Sequence, residues 1–416
     1  MRLSTPGDLL SPLALQQRTK KFTGWRLVTL LIGMLGLISA IRMFTGANDL
    51  TSSGTLSAAI GLAIPIGLAG LGGLWSERSG VVNIGLEGMM ILGTWGAGWG
   101  GSVYGPWQGL LIGIALGAMG GFVHAIATVT FAVDQIVSGV AINLLGLGVT
   151  QYLSAVAFKG QITQSPQIPA LPTFTVPGVA SLMSKIERHH WFLVSDIAGL
   201  IRAVTFQMPW VTPLVVALLP ITWFILWRTS FGLRLRSCGE APYAAESLGV
   251  NVYRYKYIAV VVSGALAGLG GAFLATVEAG IYREGQTAGQ GFIGLAAMIF
   301  GNWRPMGLAA GASLFGYTDA MQLRSTDAVH ALLLVLAVLL ILFAAWSFYR
   351  KQRGQAIAAA LIGVVLGIWY FTTNDLPSQV PYMTPYLATL LVLSLASQRL
   401  RMPAADGIPY RRGQGK

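Results

Sequence analysis

A single cysteine, Cys238, stands in 416 residues. That excludes an intrachain disulfide framework and a zinc site built from cysteines. Charge is scarce as well. Only 10% of residues are Asp, Glu, Lys or Arg, against roughly 25% in a soluble domain. No GxxxxGK[ST] loop occurs, and Gly415-Lys416 at the end is the only Gly-Lys pair. The chain therefore has no loop of that kind to cradle a nucleotide phosphate. H-E-x-x-H, C-x-x-C and G-x-S-x-G are also missing. The pair His189-His190 reads as solvated loop rather than metal ligand. No catalytic residue, cofactor or metal is assigned to this chain.

What is present is apolar. The chain is 54% hydrophobic with 53 glycines, and several runs reach the ~18 residues that mark a bilayer span. The fold class expected is all-α, a polytopic integral membrane protein. Spans are expected near 27–45, 55–75, 81–101, 108–131, 135–157, 209–227, 257–279, 291–302, 305–321, 328–347, 355–373 and 383–398. The first reads as a retained anchor behind a polar tail, 1–26. The short stretch 291–302 suits a broken or re-entrant element, which survives only when buried in protein.

Net charge is +12, but the charges are dispersed in short loops. Positive-inside topology explains them better than a nucleic-acid partner. With the N-terminus inside, 20 of the 27 Lys and Arg fall in cytoplasmic segments. Both termini are therefore expected in the cytoplasm.

Glycines recur four apart at Gly113, Gly117 and Gly121, at Gly264 and Gly268, and at Gly307 and Gly311. Such spacing lets helix backbones approach closely in lipid. A repeat is visible: "LAGLGG" occurs at 68–73 and 266–271, and "IGLEGMM" at 84–90 is echoed by "IGLAAMI" at 293–299. Duplicated halves are a common transporter plan. An outer loop, 158–208, begins rich in proline and contains an amphipathic stretch at 191–204. Ionisable residues in the spans are few, chiefly Glu87 and Glu278, with His124 and Asp134 beside them. They suit either an ion relay or structural hydrogen bonds. Asn83, Glu87, Asn143 and Gln151 are the candidates to line a translocation path.

A polar island, "FGLRLRSCGEAPYAAESLGVNVYRYK", runs from Phe231 to Lys256. Pro242 fits a first helical turn, and Gly249 can close the helix in the left-handed conformation. Ala241, Ala245 and Leu248 fall on one face. A short ordered knob between two spans is expected, within a cytoplasmic segment at 228–257.

Three motifs carry a resemblance: "WSERSGVVNIGLEGMM" (75–90), the island itself, and "MPAADGIPYRRG" (402–413). Together they resemble the permease subunit of bacterial ATP-binding cassette (ABC) importers for nucleosides and simple sugars, in the branched-chain amino acid/ribose-type superfamily. The resemblance covers about 55–325 and 376–413. It implies a core of about ten helices with a duplicated half, within 27–325. It also implies a second permease subunit, cytoplasmic ATPase subunits and an extracytoplasmic substrate-binding lipoprotein. The stretch Gly239, Glu240, Ala241, Pro242, Ala244, Ala245, Leu248 and Gly249 matches the family's ATPase-coupling helix. The location implied is the bacterial inner membrane, multi-pass, among membrane lipids and without nucleic acid. The chain departs from the family by an inserted helical hairpin, 326–375, before a last span at 376–398 and a cytoplasmic tail at 399–416. ATP hydrolysis would belong to the separate subunit, so the chain itself is not expected to be an enzyme. Nucleosides are favoured over sugars as substrate. The competing readings are a proton- or sodium-coupled secondary transporter using Glu87 or Glu278, and a non-transporting membrane scaffold.

Overall fold

The computed structural model describes residues 24–158, 163–324, 326–373, 383 and 400–413. It is helical almost throughout, which bears out the all-α expectation. The described strands are Thr173–Phe174 and Met208–Pro209, paired antiparallel. Seven of the described helical stretches are long and apolar enough to cross a membrane. Local chemistry sets many helix starts. Ser52, Asp134, Thr229 and Asn251 each accept a backbone N–H of the following turn. Pro106, Pro242 and Pro305 stand in first turns, where a missing N–H costs nothing.

Helices α1 (Gly24–Thr45), α2 (Ser53–Arg78), α3 (Leu86–Tyr104), α4 (Pro106–Ala125) and α5 (Gln135–Ala157) form the first half. The connecting region holds α6 (Val179–Glu187), α7 (Val194–Thr205), α8 (Val211–Val216), α9 (Leu218–Arg228), α10 (Ser230–Glu240) and α11 (Pro242–Ser247). The amphipathic stretch expected at 191–204 is α7; α6, just before it, went unread. The second half holds α12 (Val252–Phe273), α13 (Gln290–Phe300) and α14 (Pro305–Gln322). Widened π-helical turns extend α4 through Ile126–Thr130 and α12 through Leu274–Ala279.

The duplication reappears in the packing. Helices α2 and α12 pack against each other at the centre. Helix α12 lies on α3 and α4, as α2 lies on α13 and α14. Each "LAGLGG" packs on the other half's echo. A Cβ on Gly70 would meet the Gly294 carbonyl oxygen at 2.7 Å, and one on Gly271 would strike the Met90 carbonyl. Gly117 faces Gly264 and Gly268 so closely that backbone touches backbone. Without lipid-excluding drive, such contact is what holds membrane helices together.

One expected span is corrected. Residues 79–85, read as the start of a helix at 81, are not helical. They fold back from the Arg78 end into the bundle. Val82 N–H donates to Gln135 at 2.6 Å and Asn83 donates to Ser263 at 2.8 Å. Helix α3 begins only at Leu86. Residues 280–289 do the converse from the other end, and α13 starts in mid-bundle, where Gly294 lies against Ile66 and Gly70. The short stretch read as a broken element is thus a half-length helix.

Helices α15 (Thr326–Tyr349) and α16 (Arg353–Thr372) form an antiparallel pair. Helix α15 seats on α1 and α14 through Ile41, Leu50, Met321 and Val335, while α16 packs chiefly on α15 and is exposed along much of its length. All but Met383 of the last span expected at 383–398, and nearly all of the tail 1–26, lie outside the described residues.

Candidate functional site

The polar island folds as two short helices at the Arg78 end of the bundle. Thr229 caps α10, accepting the Gly232 N–H at 3.1 Å. Gly239 presses on the Arg78 carbonyl so tightly that any side chain would collide with it. The chain turns at Ala241 (φ −150°, ψ 77°) and re-enters helix at Pro242. Gly249 ends the unit with φ +81°, a conformation that costs glycine least.

Burial inverts part of the sequence expectation for this helix. Ala245 and Pro242 are buried, but Ala241, Ala244 and Gly249 are exposed and Leu248 is 84% exposed. Ala241, Ala245 and Leu248 therefore do not form one packed face. The six-residue helix ends before Leu248, so helical spacing no longer applies there. Ala245 is covered by Cys238, Val252 and Tyr410. Burial pushes the Cys238 thiol up to about 11, and nearby Lys256 opposes the shift. Beside Leu248 lies a cleft of about 470 Å³ lined by Phe231, Arg234, Arg254 and Tyr255.

The tail motif straps this unit. Ala405 N–H donates to the Gly239 carbonyl at 2.8 Å, and Ala404 N–H donates to Glu240 at 3.2 Å. Arg412 pairs with Glu246 at 3.4 Å and Arg78 with Glu240 at 3.8 Å. The Tyr410 ring lies tilted against Tyr243 and edge-on to Tyr253. Asp406 is buried beside Glu77, Lys256 and Arg78, and burial pushes its carboxyl up to about 7. Arg78 also donates to the Trp303 carbonyl at 2.7 Å, and the Trp303 ring donates to Glu77 at 2.5 Å. The knob, the tail and the ends of α2 and α13 thus form one connected unit.

A comparison with protein-family models matches residues 55–345 to the branched-chain amino acid transport system / permease component family. The chain belongs to this family. The permease is a transport subunit, not an enzyme. It is 35% identical over 360 residues to a guanosine ABC transporter permease protein of Bacillus subtilis, covering 85% of this chain and 94% of the relative. It is 35% identical over 355 residues to a nucleoside ABC transporter permease protein of Lactococcus lactis, covering 83% and 93%. A putative glucose ABC transporter permease protein of Haloferax volcanii is 34% identical over 367 residues, covering 87% and 98%. No solved structure matches the permease.

The four residues named for a path are not gathered on one surface. Asn83 is fully buried; it donates to Ser263 and accepts the Gly85 N–H at 3.0 Å. Asn143 accepts the Gly88 N–H at 2.7 Å and donates to the Ile84 carbonyl at 3.1 Å. Glu87 is buried and accepts from Thr287 at 2.6 Å, Gly289 at 3.0 Å and Gly291 at 2.7 Å. These three hold the breaks that precede α3 and α13. Gln151 is exposed and donates to Glu284. His124 bonds Ser138 and the Val82 carbonyl, and Asp134 caps α5. Glu278 is different. It projects from the π turn beyond α12, over Gly61, and makes no hydrogen bond or ion pair among the described residues.

Sequence reasoning missed the strap between tail and knob, and the Glu77–Trp303 link. The tail motif was visible, but its partner lies about 160 residues away and no local pattern announces it.

Proposed function

We propose that the permease forms the translocation path of an ABC importer for nucleosides, in the bacterial inner membrane, with both termini cytoplasmic. The observation that carries the coupling role is Leu248, an apolar side chain held out on a short, strapped helix. An exposed leucine on a rigid base, beside an arginine-lined cleft, is what a docking partner would cover. That partner is a cytoplasmic ATPase. A push on α11 passes to α10, and through Gly239 to the Arg78 end of α2 and, through Arg78 and Trp303, to α13. The path elements would then move as bodies, because glycine-packed helices slide more readily than they deform. A second permease subunit and an extracytoplasmic binding lipoprotein complete the importer. Knob residues Gly239, Glu240, Ala241, Pro242, Ala244, Ala245, Leu248 and Gly249 carry the coupling role.

Two relatives named for guanosine and nucleosides support nucleosides as substrate. The relative named for glucose keeps sugars as the second reading. Ion coupling through Glu87 fits poorly with a carboxylate already bonded to three donors. The test is guanosine uptake into proteoliposomes holding the full complex. Uptake should require ATP and survive a protonophore. Uptake that needs an ion gradient and ignores ATP would overturn the reading.

A further inference from the structure

At the Ser53 end of the bundle a cavity of about 610 Å³ opens between α2, α7 and the end of α12. Its size suits a small organic molecule, for which pockets run roughly 300–1,000 Å³. It sits between the two central helices of the duplicated halves, and one wall is the π turn Leu274–Ala279. Such turns are frequent at functional sites.

The lining joins three kinds of chemistry. Glu278 supplies a carboxylate with no partner among the described residues, and Ser57 an exposed hydroxyl. Phe206 supplies an aromatic ring that is 41% exposed. Ile60 and Val277 supply apolar wall. The arginine in the lining is engaged elsewhere. Arg202 donates to Glu187 at 2.9 Å and to Ser53 at 3.0 Å, and lies 5.2 Å from the Phe206 ring centroid, which props that ring. The cavity therefore offers a negative hydrogen-bond acceptor and a stacking platform, with its lining arginine already paired to Glu187.

We infer that this cavity is a nucleoside-binding subsite of the permease, in which Glu278 accepts hydrogen bonds from hydroxyl and ring N–H groups while Phe206 carries the base. The inference rests on the nucleoside importer reading and deepens it. A neutral nucleoside brings several donors and a flat ring. A nucleotide brings negative charge, which Glu278 repels. The carboxylate's position depends on Gly61, where a Cβ would overlap it.

The probe is radiolabelled guanosine, bound at equilibrium to the full-length permease in nanodiscs, with guanosine monophosphate and ribose as competitors. Wild type should bind guanosine, and neither competitor should displace it at equal concentration. Glu278→Gln should weaken binding about tenfold or more, the loss of bonds to a charged acceptor. Phe206→Ala should weaken it by a similar factor, and Phe206→Tyr should restore it. Glu278→Gln is isosteric at a side chain without a hydrogen bond among the described residues, so folding should be unchanged by size exclusion. Leu248→Asp should bind guanosine as wild type does while failing to import it. Unchanged binding in both cavity variants would overturn the subsite, and so would displacement by the monophosphate. If the complete importer still transports guanosine with wild-type KM in those variants, the subsite fails and the importer reading stands. If the wild-type complex imports no nucleoside, both fail.

Discussion

The Glu87 carboxylate, in the first turn of α3, accepts hydrogen bonds from the Gly289 and Gly291 N–H groups, where α13 begins. Helix α3 and the half-length helix α13 thus bring their N-terminal ends together in mid-bundle through one buried anion. Helix N-termini carry partial positive charge and would repel each other in a low-dielectric interior. A single acidic side chain bonded to one end and rooted in the other offsets this. The other half does not repeat this device: the echo of Glu87 in "IGLAAMI" is Ala296.

Glu87→Gln keeps the shape and removes the charge. It should destabilise the permease by about 1.5–3 kcal/mol, the range for hydrogen bonds to charged groups. Thermal unfolding in nanodiscs measures it. An unchanged Tm would mean that the anion does not hold α3 and α13 together.

The span pattern and the knob could be read from the chain, because apolar run length and helix punctuation are local signals. The breaks ahead of α3 and α13 could be read only in part. Residues 79–85 include Val81, Val82 and Ile84, so hydropathy counts them as helix. Their backbone groups and side chains instead bond Gln135, Ser263 and Lys256, the last donating from Nζ to the Gly80 carbonyl at 3.1 Å. Glu87 looked like a relay candidate because its partners lie 200 or more positions away. Leu248 looked like packing because i, i+4, i+7 spacing assumes a helix that in fact stops at Ser247.

Glycine positions should separate sharply by what they face. A Cβ on Gly93 would overlap the Gly268 carbonyl, whereas one on Gly148 meets nothing within 4 Å. Gly93→Ala should cost about 1–3 kcal/mol through forced helix separation. Gly148→Ala, in the interior of α5, should be neutral or gain about 0.5–1 kcal/mol. Equal melting temperatures for the two variants would contradict the close α3–α12 packing.

The knob should be separable from the fold. Leu248→Asp alters an exposed side chain, so its effect on Tm should fall within about 0.5 kcal/mol. ATPase co-purification and uptake should nevertheless fall at least about tenfold, as for a docking anchor worth about 1.4 kcal/mol or more. A tryptophan at exposed Ala244 should act likewise. Glu240→Arg should do more, because Glu240 also holds Arg78 and the Ala404 N–H. Normal uptake in all three would remove the coupling role from this surface.

The strap should respond to pH with a definite sign. Burial raises the Asp406 carboxyl from 3.8 to about 7 when the tail is docked. Glu77 faces it from α2, and Arg78 and Lys256 oppose the rise from α2 and α12. Between those two values the docked tail holds a proton that the released tail does not. Docking is therefore strongest at low pH and weakens as pH rises through the window from about 4 to 7, with little further change above it. Cys238 reports the event, since Tyr410 of the tail helps to bury it. Maleimide labelling of Cys238 also rises with pH through thiol ionisation, so Asp406→Asn, which removes the titrating group, supplies the correction. The wild-type to variant labelling ratio should climb by about tenfold or more between pH 5 and pH 8, since each pKa unit carries a factor of ten. A ratio that stays flat would mean that Asp406 does not control the strap.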